Sequence, residues 1–391
     1  MKFHNNTKGA IIIEGHVQGL SNTRSLGEDG IPVYVVDKND CIARYSKHCL
    51  KFFKSPDFIE DDFVEFLVEL AEKEKIQDWL ILPSNDHAVY SLSKHKEKLE
   101  KYFKIITPNL DIVDNIYNKI NLINIASSLG IPTPKTYTFS GEDNLFTIDL
   151  NFPVITKGCN GLSFYRALGK KVIKSNNHKE LINNIDFIEN KYFADKSFTQ
   201  ELIPYDGTNN TVSFTAFCDN GQIKTFWIGE KIREHPIRFG TATCAKSVYI
   251  EECHNQSISL LNVLNFTGVC EVEYLKDPRD GEYKLIEINP RTWLWVELAR
   301  KCGVDYAKII YDYVNGNNVT YPKHYKTNKY WINPFTDTFF GIKGIVTRKI
   351  NFKDYYSSIF QTGTVNALFS KKDMLPGFMY LFNILAYMQN R

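Results

Sequence analysis

The stretch GAIIIEGH (residues 9–16) is a short apolar run closed by Gly and His, the pattern of a strand buried on both faces. IPVYVVD (31–37) and DWLILPSND (78–86) repeat it, the latter ending in polar residues. Between them DFVEFLVELAEKEK (62–75) has helical periodicity, and GLSNTRSLGEDG reads as a loop entering a helix. Alternating strands and helices predict a doubly wound sheet over about the first 110 residues. In such sheets ligands sit at the carboxyl ends of strands, here Gly15, His16, Asp37, Ser84, Asn85 and Asp86. No GxGxxG follows a strand, so a dinucleotide fingerprint is missing.

The pattern changes near 110–150. A helix is expected at about 114–129, ended by Gly130 and the prolines of IPTPKTY. From FPVITKG (152–158) to about 295, strands dominate: KKVIKS, SFTQELI, TVSFTAFC, QIKTFWIGEKI, GVCEVEYLK and YKLIEIN. A helix at 295–302 ends at Gly303, and MLPGFMYLFNILAYMQNR (374–391) reads as a terminal apolar helix packed on the nucleotide domain or on another subunit, with a helix lying on a membrane surface as the alternative. That run is too short for a bilayer span, which needs about 20 apolar residues. Trp293 and Trp295 share strand spacing and read as core, and Arg24 as a helix-face residue.

Composition adds mostly exclusions. Over 391 residues, 43% hydrophobic and 24% charged residues are ordinary for a folded chain of two or three domains. A net charge of +2 gives no basic field for nucleic acid. The eight cysteines include no CxxC pair, which argues against a zinc site and for free thiols in a cytoplasmic protein. No signal peptide or spanning segment is visible.

The chemistry concentrates in GVCEVEYLKDPRDGEYKLIEINPR (268–291). Set as a hairpin turning at Arg279-Asp280-Gly281, it puts Glu273 opposite Glu287, with Glu271, Asn289 and Arg291 on the same face. Cys270, Val272 and Tyr274 against Ile286 and Ile288 form the core face. Directly opposed Cβ atoms lie about 4.5–5.5 Å apart, so two carboxylates there repel unless a cation sits between them. Magnesium suits such an oxygen-rich pair. A solvated face whose acids pair with lysines is the plain alternative.

The hairpin, with LKDPRDGEYKLIEINPR as its core, resembles the final strands of the ATP-grasp superfamily, and within it the carboxylate–amine ligases of the D-aspartate ligase type. IPTPKTY, FPVITKG, ELIP and EKIREHP follow that family's order. The resemblance implies an α/β and α+β chain: a doubly wound pre-ATP-grasp domain (1–112), then a two-part ATP-grasp fold with a small subdomain (113–197) and a central one bearing the metal hairpin (198–325), then an extension (326–391). It implies ATP and Mg2+ (Mn2+ as substitute) as cofactors, with Glu273, Glu287 and Asn289 as metal ligands. Arg291 would stabilise the acyl-phosphate or tetrahedral intermediate, and Arg233 would hold substrate or phosphate. Lys157 and Lys171 (Lys170 its rival) would bind nucleotide. Gln200, Glu201, Leu202 and Ile203 would form the adenine hinge, with Glu201 as its acid; Asp206 or Asn209 would reach the ribose. Two departures stand out: KGCNGLSFYRAL is bulkier than the usual Gly-rich flap, and Asn118 precedes Lys119 where relatives carry Asp.

The implied activity is ATP-dependent joining of a small-molecule carboxylate, with a cell-envelope precursor as one candidate, to an amine. Rivals are an ATP-grasp kinase or carboxylase, or an inactive nucleotide-binding scaffold. No nucleic-acid partner or transmembrane segment is expected, and homo-oligomerisation stays open.

Overall fold

The computed structural model describes residues 8–139, 149–192, 197–205, 211–236, 240–359 and 361–389. Five strands, β1 (Ala10–Ile13), β2 (Val33–Asp37), β3 (Cys49–Lys54), β4 (Trp79–Pro83) and β5 (Phe103–Ile105), form a parallel sheet in the order β3-β2-β1-β4-β5. Every residue of β1, β2 and β4 is buried, because helices such as Val17–Glu28 and Asp61–Glu74 cover the faces. Their carboxyl ends gather the polar residues. The Gly15 amide donates to Asp37 Oδ2 at 2.8 Å, and a Cβ at Gly15 would lie 2.3 Å from Cys41 Sγ, so only glycine fits that turn.

The single helix expected at 114–129 is two helices, Leu110–Tyr117 and Lys119–Ser128. Asn118 breaks them, its side chain accepting from the Ile120 and Asn121 amides (3.1 and 3.3 Å) as the cap of the second. That break sends Lys119 inward.

Strands β6 (Thr136–Tyr137), β7 (Val154–Gly158), β8 (Ile173–Ser175) and β9 (Ser197–Glu201) make a small antiparallel sheet ordered β6-β9-β7-β8. The expected flap after Lys157 is the helix Gly161–Leu168, whose Phe164 is fully buried.

The largest sheet runs β14-β13-β10-β11-β12-β15-β16. Its members are β10 (Thr211–Asp219), β11 (Gln222–His235), β12 (Thr241–Val248), β13 (Gly268–Lys276), β14 (Tyr283–Asn289), β15 (Tyr330–Ile332) and β16 (Val365–Asn366). Its core joins that of the first sheet: Trp227, Trp293 and Trp295 pack in one cluster with Ile12, Val35 and Leu82. Trp227 stacks on Trp293 at 5.9 Å, so both post-hairpin tryptophans are core as expected, though on a loop rather than a strand. The expected helix closed by Gly303 is Val296–Cys302.

Three further helices, Pro334–Val346, Phe352–Ile359 and Leu375–Gln389, complete the chain. The last packs against the short turn Ile42–Tyr45 of the first unit, whereas the expectation from sequence is the nucleotide domain. Just before it, Asp373 forms a buried ion pair with Arg24 (2.9 Å) and accepts from Ser46. Arg24 is therefore an interior anchor, not an outward helix-face residue. Among the described residues no helix is long and apolar enough to cross a membrane.

Candidate active site

The hairpin pairs Glu271 with Asn289 and Glu273 with Glu287, the register expected from sequence. The route to it differs. A bulge between Glu273 and Tyr274 shifts the pairing to Tyr274–Leu285, and the connection 277–282 is closed by Asp277 N–H on Glu282 O at 2.8 Å. The shift turns Leu285 into the core, while Ile286, expected there, borders a cavity instead.

That cavity, of about 480 Å³, lies between the small sheet and the large one. Glu271, Glu273, Glu287, Asn289 and Arg291 line one wall; Lys157, Lys171, Gln200, Glu201, Leu202 and Ile203 line another. Ten of the eleven residues assigned from sequence border it, together with Lys119, Lys231, Glu234 and Asp86. Lys170 does not line it, and Asp206 and Asn209 lie outside the described residues.

The exception is Arg233. It donates to Asp337 through Nε (2.9 Å) and Nη2 (2.8 Å), bonds Ser358, and lies over the Tyr355 ring. A bulge in β11 causes this: Lys231 pairs with Ala245 but Arg233 with its neighbour Cys244, so the two side chains leave on opposite faces. Lys231 takes the cavity side.

Lysines meet the acids. Lys119 Nζ donates to Glu287 Oε2 at 2.7 Å, and Lys231 Nζ to both Glu273 oxygens at 3.1 and 3.0 Å. Asn289 Nδ2 donates to Glu271 Oε2 (3.1 Å), and Ser213 to Glu271 Oε1 (2.8 Å). The Lys119 ammonium holds Glu287 well below the usual carboxylate range. Burial, then the charge of Glu273, pushes Glu271 up to about 7. Arg291 is clamped by Asp86 through Nε (2.9 Å) and Nη2 (3.0 Å), with Nη2 also reaching Asn289 Oδ1 at 3.3 Å. That clamp ties the first unit to the hairpin across the cavity.

Among the described residues no three His, Cys, Asp or Glu side chains converge as a closed metal cage. The donors instead fit a hard cation that keeps waters and completes its shell with substrate oxygens. Two carboxylates and an amide oxygen share one wall, and both carboxylates already draw an ammonium group within hydrogen-bond range.

Lys157 Nζ donates to Gln200 Oε1 at 3.1 Å. Burial, then Lys119, lowers its pKa to about 7. The unfolded chain keeps the ordinary lysine value, so between about 7 and that value the unfolded state binds the extra proton. The sign follows: this group costs stability below pH 7, and the cost fades as pH rises above it. We predict that nucleotide binding at pH 8 takes up a proton, because phosphate charge restores the ammonium. Calorimetry in buffers of different ionisation enthalpy would show it, and uptake unchanged in Lys157→Met would refute it.

Glu201 borders the cavity, with its carboxylate paired to Arg279 (2.9 Å) and accepting from the Lys135 amide (2.9 Å).

Residues 206–319 match the family described as the carbamoyl-phosphate synthase L chain, ATP binding domain. The chain is 26% identical over 267 residues to D-aspartate ligase of Enterococcus faecium (strain Aus0004), spanning 63% of this chain and 62% of that enzyme. The fold is shared with the L-amino acid ligase from Bacillus licheniformis (TM-score 0.60, 15% identity, 80% of this chain and 75% of that one). It is shared too with the biotin carboxylase domain of the Hydrogenobacter thermophilus 2-oxoglutarate carboxylase in complex with MgADP, ADP and bicarbonate (TM-score 0.63, 15% identity, 84% and 74% covered). The chain is thus similar to that ATP binding domain over residues 206–319, and shares its fold with these two enzymes. The chain spans less than two thirds of the length of the curated relatives it matches, 62% for D-aspartate ligase.

Proposed function

We propose that this protein is an ATP-dependent carboxylate–amine ligase. The observation carrying the reading is the Glu273–Glu287 pair with Asn289 and Arg291 on one cavity wall, opposite Lys119 and Lys157. Similarity to D-aspartate ligase supports the same chemistry. A substrate carboxylate oxygen would attack the γ-phosphorus of ATP, and ADP would leave. The amine nitrogen would then attack the acyl carbon of the acyl phosphate, releasing phosphate and a proton. Phosphoryl transfer needs positioning and charge neutralisation more than covalent help. Lys119, Lys157 and Lys171 supply charge to the phosphates, residues 200–203 hold the adenine edge, and Arg291 steadies oxyanions at the acyl centre. Magnesium held by Glu273, Glu287 and Asn289 would neutralise phosphate charge. Arg233, held by Asp337 away from the cavity, is assigned a structural part.

The units 1–112, 113–197, 198–325 and 326–391 are taken as pre-ATP-grasp, small, central and extension. None of the eight cysteines forms a disulfide, which suits a reducing cytoplasmic setting. Changing Lys157 or Lys171 to Ala should weaken ATP binding by about 1–3 kcal/mol, the loss of a charged hydrogen bond; calorimetry showing no change in both would remove them from the nucleotide site. The reaction itself is tested by phosphate release over pooled acids and amines, with the product weighed by mass spectrometry. Phosphate retained on the product would replace the ligase with a kinase, and phosphate release that needs no amine would show ATP hydrolysis without amide formation.

A further inference from the structure

We propose that the helical pair Pro334–Val346 and Phe352–Ile359 docks on an anionic lipid surface. Its inner side is fixed. Asp337 is fully buried against Arg233, and Gly341 packs so tightly on Tyr355 that a Cβ there would lie 2.2 Å from the ring. The outer side is apolar without a core to cover it. Phe339, Ile342 and Val346 recur at helical spacing, and Val346 is 76% exposed. Phe352, 63% exposed, and Tyr356 continue the patch on the second helix. Five large apolar side chains on one hairpin mark an interaction face rather than ordinary scatter.

Charge selects the occupant. Lys343, Arg348, Lys349 and Lys353 are exposed on the same hairpin, against one exposed acid, Asp354. A second copy meeting this face about a two-fold axis would set like patches together, four cations against four. Anionic headgroups complement it, with the apolar side chains entering the boundary of the acyl region. The hairpin would lie on the surface, since no described helix is able to span one.

The first helix also touches the strand end that borders the cavity. His235 at the end of β11 stacks on Phe340 of the first helix, and Glu234 beside it lines the cavity. Docking would bring that rim to the bilayer, where a carboxylate or amine carried on an amphiphile is presented.

The test is sedimentation of the full chain with phosphatidylcholine vesicles, with and without phosphatidylserine, alongside sedimentation velocity without lipid. It needs no turnover, so it stands apart from the ligase reading. The chain should pellet with phosphatidylserine vesicles only, and less as salt rises. Lys343→Glu with Lys349→Glu should weaken vesicle affinity about twenty-five-fold or more, about fivefold for each cation lost near the surface. Val346→Ser with Phe352→Ser should weaken it at least about tenfold, from the apolar area withheld. No pelleting of the unaltered chain, or equal pelleting of both variants, overturns the proposal. So does a dimer that the apolar variant dissolves while vesicles bind nothing. Should a variant melt early, the unaltered chain's dependence on phosphatidylserine and salt decides.

Discussion

Glu287→Gln is expected to lower ATP turnover at least about a hundredfold while the melting temperature changes little. Loss of one preorganised charged group at a phosphoryl-transfer centre costs on that order. Gln keeps the size of the side chain and an oxygen to accept from Lys119, so the wall of β14 stays packed. What it removes is charge. Lys119 and Lys231 each pair with an acid of the hairpin, Glu287 and Glu273 respectively. Without Glu287 the Lys119 ammonium loses its charged partner and a divalent cation loses a ligand. Lys157 also loses an acid that favours its charged form, so its ammonium titrates still more easily. Phosphate release and thermal melting measured on the same preparation check this. Turnover at the unaltered rate in a normally melting variant would sink the metal-site assignment; a large fall in melting temperature would show that Lys119–Glu287 is chiefly a structural pair.

The facing acids were legible because strand alternation has period two and the turn residues fix the centre of a hairpin. The same reasoning fails wherever a bulge adds a residue. In the hairpin the bulge after Glu273 left the acid pair intact but exchanged Ile286 for Leu285 in the core. In β11 a bulge separated Lys231 from Arg233, so two positions that share a face by simple alternation do not share one in the fold. Alternation from Arg233 would have put both on the site; the bulge leaves only Lys231 there. Lys119 was passed over because apolar periodicity ran on across Asn118; the available signal was Asn itself, a residue that caps helices better than it continues them. In the first unit β1, β2 and β4 were readable because fully buried parallel strands announce themselves as unbroken apolar runs, whereas the half-exposed edge strand β3 and the three-residue β5 were not. The flap was not, since Gly161–Leu168 is short and its Gly-rich start suits a loop or a helix equally. The extension was least readable: its first two helices set exposed Phe339, Ile342, Val346 and Phe352 beside buried Gly341 and Tyr355, so periodicity points to no single face.

Arg233 carries the largest expected effect on stability. Asp337 has no solvent exposure and depends on the Arg233 fork, with Thr243 Oγ1 donating at 2.8 Å as its remaining side-chain partner. Burial opposes the guanidinium charge, but Asp337 more than offsets it and holds Arg233 above the ordinary arginine value. Breaking a buried pair by removing one partner leaves a charge that can neither hydrate nor pair, at a cost of about 3–5 kcal/mol. Arg233→Met should therefore destabilise the protein by about that amount in denaturant unfolding. Removing both charges is different, because well-packed apolar side chains of similar volume replace a buried pair with little loss. Arg233→Met with Asp337→Leu should thus recover most of the stability of the single variant. The same pair decides what Arg233 does. It sits where the family resemblance places a substrate-binding arginine, yet its side chain is spent on Asp337, Ser358 and the Tyr355 ring. If it only fastens the extension to the large sheet, the stabilised double variant will turn over ATP at close to the unaltered rate. A single variant that unfolds normally but loses turnover, with no rescue in the double, would return Arg233 to the substrate and show that the bulge in β11 moves during the reaction.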